Sequence, residues 1–147
     1  MCANAGLIDH ATFEPNPDYF VALLWKRTCG SQAVRTSKAP DVPGLRAYTM
    51  MDGTHATVVL ANMLESAMSV TLDLSGFATL PPQRAEYHVR GAGGDLTSDV
   101  AQLQTPSGWM PLQLSPSGEL PKLVPVMVDS KQPVQLAGQT YAFITFQ

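Results

Sequence analysis

Between residues 15 and 30 the apolar positions gather on one side of a helical wheel, and beyond Gly30 they settle into a period of two. In "PNPDYFVALLWKRTCG", Phe20, Leu23 and Leu24 form one face, widened by Val21 and Trp25. The ends carry helix signals. Asn16 is placed to cap, Pro17 has the φ of a first helical position, and Asp18 suits the positive end of the dipole. Lys26 and Arg27 complement the far end, and Gly30 is the natural stop. The predicted helix is about 13 residues, or ~20 Å, long.

Downstream, residues 32–36, 45–51, 56–62, 68–74, 85–90, 100–104, 110–114, 124–128 and 141–146 read as strands. Asp52-Gly53 is a hairpin signal between two of them, Pro81-Pro82 breaks the run, and Gly91-Ala92-Gly93-Gly94-Asp95 is a loop. Turns are expected at Pro106-Ser107-Gly108 and Pro116-Ser117-Gly118. Short strands with frequent turns predict a mainly β chain, an antiparallel β-sandwich preceded by one α-helix. That helix lacks an obvious partner, and a helix of this length draws its stability from tertiary packing. It either packs on the sandwich or belongs to another body.

At 147 residues the chain suits one domain, or one domain plus a piece of another. Only 14% of residues are charged, so much of the surface is uncharged. The net charge of −3 comes with scattered Lys and Arg, which argues against nucleic acid and against a polybasic membrane patch. No apolar run approaches the ~18 residues of a membrane span. The first residues have neither the basic start nor the apolar centre of a secretory leader. Cys2 and Cys29 give no disulfide framework and too few ligands for a Cys-based zinc site. His10, His55 and His88 are too dispersed for a metal spacing, so neither a metal nor a cofactor is expected.

Candidate chemistry is thin. Glycoside hydrolysis needs two carboxylates about 5–10 Å apart, and Glu14, Glu65, Glu86 and Glu119 share no motif. Glu86, at a strand start, is the best placed and reads as a solvated strand residue. Asp9-His10 and Asp52 with His55 read as surface polar groups. The Gly91–Gly94 run has an acidic residue, Asp95, where a phosphate loop would open a helix, and reads as a turn. Ser107-Gly108 and Ser117-Gly118 sit in Pro-flanked turns, without a nucleophile elbow. Tyr48, Tyr87 and Trp109 could stack on sugar rings, although core packing is the plainer role. No catalytic residue is assigned.

Three stretches, "TFEPNPDYFVALLWKRTCG", "AEYHVRGAGGDLTSDVAQL" and "PLQLSPSGELPKLVPVMV…VQLAGQTYAFITF", together resemble the C-terminal portion of heparanase-like proteins. These are the endo-β-glucuronidases of glycoside hydrolase family 79, and the likeness is nearest to the plant-type branch. It runs from about Asn4 to Phe146. In that family a (β/α)8 barrel carries the reaction and a β-sandwich follows. The resemblance therefore implies that residues 1–30 are the terminal loop and last helix of a catalytic barrel, and residues 31–147 the sandwich.

A full barrel takes ~250 residues, more than this chain holds. The family's acid/base glutamate follows an Asn, and no Asn-Glu pair occurs here, so the resemblance implies an inactive chain. Phe20, Leu23, Leu24 and Trp25 are then expected to form the interface with the barrel, which is the implied partner and the route to the glycan. A sugar-contacting Gly-Asn-Tyr-Gly loop of the family aligns with Ala3-Asn4-Ala5-Gly6, leaving Asn4 and Gly6 as substrate-binding candidates. Some members bridge a Cys of the "LRxY" strand to one near the C-terminus. "LRAYTMM" offers Met50 and Met51 instead, so no bridge is expected. The family resemblance points to an extracellular, lysosomal or vacuolar setting, with membrane association among its variants. The competing reading is a stand-alone carbohydrate-binding or scaffolding sandwich.

Overall fold

A computed structural model describes residues 6–34, 42–95 and 98–147. Helix α1 spans Pro17–Thr28, with Pro17 at its first position, Asp18 in the first turn and Lys26 and Arg27 in the last. Asn16 adopts the extended backbone of a cap but spends its side chain elsewhere. Its Nδ2 donates to the carbonyl of Gly6, 2.7 Å away, which ties the preceding segment to the helix start. The stop also differs from expectation. Extended Cys29 ends the helix, its N–H donating to the carbonyl of Trp25 at 2.9 Å. Gly30 matters for its bareness instead. A Cβ there would collide with the backbone of Met51 and Asp52, so the glycine lets the helix exit run against a strand.

The strands are β1 (Gln32–Val34), β2 (Leu45–Asp52), β3 (His55–Asn62), β4 (Met68–Val70), β5 (Gln83–Gly91), β6 (Ala101–Thr105), β7 (Gly108–Leu112), β8 (Val126–Asp129), β9 (Val134–Leu136) and β10 (Thr140–Phe146). Among the described residues all pairings are antiparallel. The large sheet runs β1-β2-β3-β10-β5-β6-β7, and β8 pairs with the first half of β5. A second, two-stranded sheet joins β4 to β9. The β2–β3 hairpin turns at Asp52-Gly53 as expected, with Gly53 at φ 59°. Pro106-Ser107 closes the β6–β7 hairpin, and Pro111 is accommodated because β7 lies at the end of the sheet.

Period-two alternation sorts the side chains of the large sheet onto two buried faces. On one, Val59, Val89, Leu103, Leu112 and Phe143 meet Phe20 and Leu24 of the helix. On the other, Leu45, Leu60, Ala142, Ile144 and Phe146 meet Val134 and Leu136 of β9, with Leu72, Leu74 and Phe77 filling in. The result is an antiparallel sandwich whose second sheet is small and whose other face is covered by the helix.

This packing corrects part of the expected barrel interface. Phe20 and Leu24 are 0% and 1% exposed within this chain, so they cannot also lie against another body. Leu23 is half-buried, and Trp25 is 39% exposed and meets the rings of Tyr48 and Phe143 in edge-to-face contacts. The Thr57 hydroxyl donates to the carbonyl of Thr28 and fastens the far end of the helix to β3.

Candidate functional site

On β5 the side chains of Arg84, Glu86 and His88 share the face turned toward the β4–β9 sheet, because they stand at alternate positions. They are 1%, 6% and 2% exposed. Arg84 Nε donates to Glu86 Oε1 at 2.7 Å, and Nη2 lies 2.7 Å from the same oxygen. His88 Nε2 stands 2.8 Å from Glu86 Oε2, and since an ionised carboxylate only accepts, that nitrogen carries the proton. The remaining arm of Arg84, Nη1, donates to the carbonyls of Ser130 (2.8 Å) and Gln132 (2.7 Å) in the turn between β8 and β9. Burial pushes the Glu86 carboxyl up, but the hydrogen bonds and charges of His88 and Arg84 outweigh it and hold the group below its ordinary value.

This corrects the reading of Glu86 as a solvated strand residue. The triad is nevertheless a poor machine for glycosidic chemistry. Both oxygens of Glu86 are engaged and sealed from solvent, whereas a retaining pair needs two carboxyls ~5–5.5 Å apart flanking an open bond. Glu14, Glu65 and Glu119 are exposed, in the segment before the helix, after β3 and after β7. What the triad does is lock a turn to the sheet.

The other sequence candidates scatter. Asn4 lies outside the described residues, as does Cys2; Gly6 is exposed, its carbonyl occupied by Asn16. Asp9 Oδ1 accepts from the N–H groups of Ala11 and Thr12 and shapes a turn, with His10 exposed beside it. Asp52 and His55 face each other across the exposed hairpin end. The Gly91–Gly94 run ends β5 and makes a single tight turn at Ala92–Gly94, with Gly93 and Gly94 at positive φ. Burial pushes the Cys29 thiol up, leaving it a poor nucleophile. Among the described residues no cluster of three His, Cys, Asp or Glu side chains could hold a metal ion, and no helix is long and apolar enough to cross a membrane.

Among the aromatic candidates, Tyr48 is exposed beside Trp25, and Tyr87 packs on the helix-side core. Trp109 differs. It stands on the polar stretch of the large sheet with the Arg90 guanidinium 3.9 Å from its ring centre, and it lines a cleft of about 390 Å³ beside the β4–β9 sheet.

No protein-family model matches the chain. It is 31% identical to baicalin-β-D-glucuronidase of Scutellaria baicalensis, a match covering 96% of this chain and 26% of that protein. Heparanase-like protein 3 of Arabidopsis thaliana is 26% identical, with 96% of this chain and 30% of that protein covered. Heparanase-like protein 2 of the same plant is 30% identical, with 95% and 31% covered. The chain is thus similar to heparanase-like proteins over nearly its whole length, and spans about a quarter to a third of theirs.

Among solved structures, the arabinose-bound MgGH51 α-L-arabinofuranosidase superposes with a TM-score of 0.65 at 15% identity, over 98% of this chain and 21% of that one. A glycoside hydrolase family 30 subfamily 8 xylanase from Clostridium acetobutylicum gives 0.60 at 10% identity, over 97% and 30%. At such identities the likeness establishes the fold.

Proposed function

We propose that this chain is the C-terminal, non-catalytic region of a heparanase-like glycoside hydrolase, comprising the last helix of a (β/α)8 barrel and the sandwich that follows. The observation that carries this is the lopsided similarity: nearly all of this chain matches, yet only 26–31% of each relative is covered. The parent enzyme would cleave β-glucuronide linkages by double displacement, using two glutamates on the barrel. The sandwich would buttress that barrel.

With Phe20 and Leu24 committed to the sandwich core, the surface for the barrel narrows to Leu23 and Trp25, joined by Leu7, Ile8 and Phe13. All three of the latter are exposed in the segment leading to the helix. Exposed apolar side chains of this kind favour a partner. Asn4 and Gly6 precede that segment and would approach the glycan only when the barrel is present.

The purified chain is expected to release no aglycone from a chromogenic β-glucuronide above the rate of a buffer blank. Turnover that survives repurification and disappears in Glu86→Gln would overturn the proposal, because it would place a working carboxylate in the sandwich.

A further inference from the structure

We propose that the cleft beside Trp109 binds uncharged sugar units of an oligosaccharide. It lies where β4 and β9 come beside β6 and β7. Met68, Ser69, Gln135 and Ala137 line it on one side, and Gln104 and Trp109 on the other. Trp109 and Gln104 are cross-strand partners in the β6–β7 register, so their side chains stand together on one face. The opening of about 390 Å³ lies within the ordinary range of small-ligand sites, ~300–1,000 Å³.

The chemistry of this lining fits a sugar. A pyranose presents a face of C–H groups, which packs on an indole, ringed by hydroxyls that both donate and accept. Side-chain amides and a serine hydroxyl answer those hydroxyls in either sense. Gln135 and Ser69, paired across β4 and β9, are joined by a 3.0 Å hydrogen bond from Gln135 Nε2 to Ser69 Oγ. That bond orders the amide and the hydroxyl relative to each other.

The platform is fixed as well. Arg90 lies over the Trp109 ring while its Nε reaches Gln102 Oε1 at 3.4 Å, which limits the indole's rotation before any ligand arrives. Among the described residues none lining the cleft is charged, and the cation against its platform, Arg90, is engaged by the Trp109 ring and Gln102, so little repays the desolvation of a carboxylate. Neutral sugars are therefore preferred to uronates. This inference stands apart from the parent's activity, since every residue in it belongs to the sandwich.

The test is calorimetric titration of the whole chain with xylohexaose and cellohexaose, with a tri-galacturonate as the charged arm. Saturable binding of a neutral oligosaccharide is expected, with the tri-galacturonate weaker. Trp109→Ala should raise the dissociation constant about tenfold, the equivalent of about 1.4 kcal/mol. Gln135→Ala, on the exposed side of β9, should weaken binding severalfold with the urea midpoint unchanged, which keeps the test sound if Trp109→Ala misfolds. Absence of saturable binding to either neutral sugar, binding indifferent to both substitutions, or tighter binding of the tri-galacturonate would each overturn the assignment.

Discussion

Glu86→Ala is expected to lower the unfolding free energy by about 3–5 kcal/mol, the cost of removing one partner from a buried ion pair. Whole domains are stable by only ~5–15 kcal/mol, so this single change threatens folding at ordinary temperature. The loss comes from what is left behind. Arg84, 1% exposed, would keep its charge with no anion against it, and His88 Nε2–H would lose its acceptor. Arg84→Met should cost a similar amount for a second reason: the carbonyls of Ser130 and Gln132 lose their shared donor. For that reason the double change Arg84→Met with Glu86→Leu should recover only part of the loss, unlike ion pairs that hydrophobic residues replace freely. Urea unfolding of the four proteins measures each difference. A midpoint for Glu86→Ala equal to that of the unaltered chain would show that the triad holds nothing.

The same carboxylate sets an acid limit. Its folded value lies below the unfolded one, ordinarily near ~4.3, so the folded state binds this proton less readily. The stabilisation is complete above the unfolded value and disappears as pH falls through the folded one. Glu86→Gln should therefore be less stable than the unaltered chain at neutral pH and converge on it in strong acid.

Much of this fold was legible. The Asn16-Pro17-Asp18 start and the Lys26-Arg27 end bracket the helix correctly, because the fixed φ of proline and the dipole preferences of charged residues are local. Asp52-Gly53 marks its hairpin for the same reason. Strand β9 escaped notice because Val134-Gln135-Leu136 is three residues long between Pro133 and Ala137-Gly138, too short to display a period. The second sheet rests on it.

Glu86 was misjudged by a related route. Alternation on β5 puts Arg84, Glu86 and His88 on one face and Ala85, Tyr87 and Val89 on the other, and a polar face reads as solvated. Without β9 in view, nothing covers that face. A basic, an acidic and an imidazole side chain at i, i+2 and i+4 of one strand could have signalled a mutually satisfied set, since such residues are side-by-side neighbours. The Trp109 cleft was less accessible still, as its two walls come from residues 67–69 and 135–137, brought over β6 and β7 only by tertiary packing. The helix carried a different ambiguity. An apolar face states that something covers it, and the period cannot name what.

Phe20→Ala resolves that ambiguity by experiment, with an expected loss of about 3–5 kcal/mol from the lost transfer energy and the cavity left behind. Phe20 is wholly enclosed with Leu24, Val59, Val89, Leu103 and Phe143, and Tyr19 packs its ring edgewise at 5.6 Å. A helix of 12 residues has little stability of its own. Once Phe20 is truncated, Leu24 and the Thr57–Thr28 hydrogen bond must hold it unaided. Leu23, one position from the buried stripe and only half-covered, provides the contrast: Leu23→Ala should cost this chain no more than ~1 kcal/mol. In a protein that also contains the proposed barrel, Leu23→Ala should cost more than it does here, whereas Phe20→Ala should cost about the same in both. Urea unfolding followed by far-ultraviolet circular dichroism measures each. If Phe20→Ala proves as harmless as Leu23→Ala in this chain, the helix does not rest on the sandwich, and its whole apolar face is left for another body to cover.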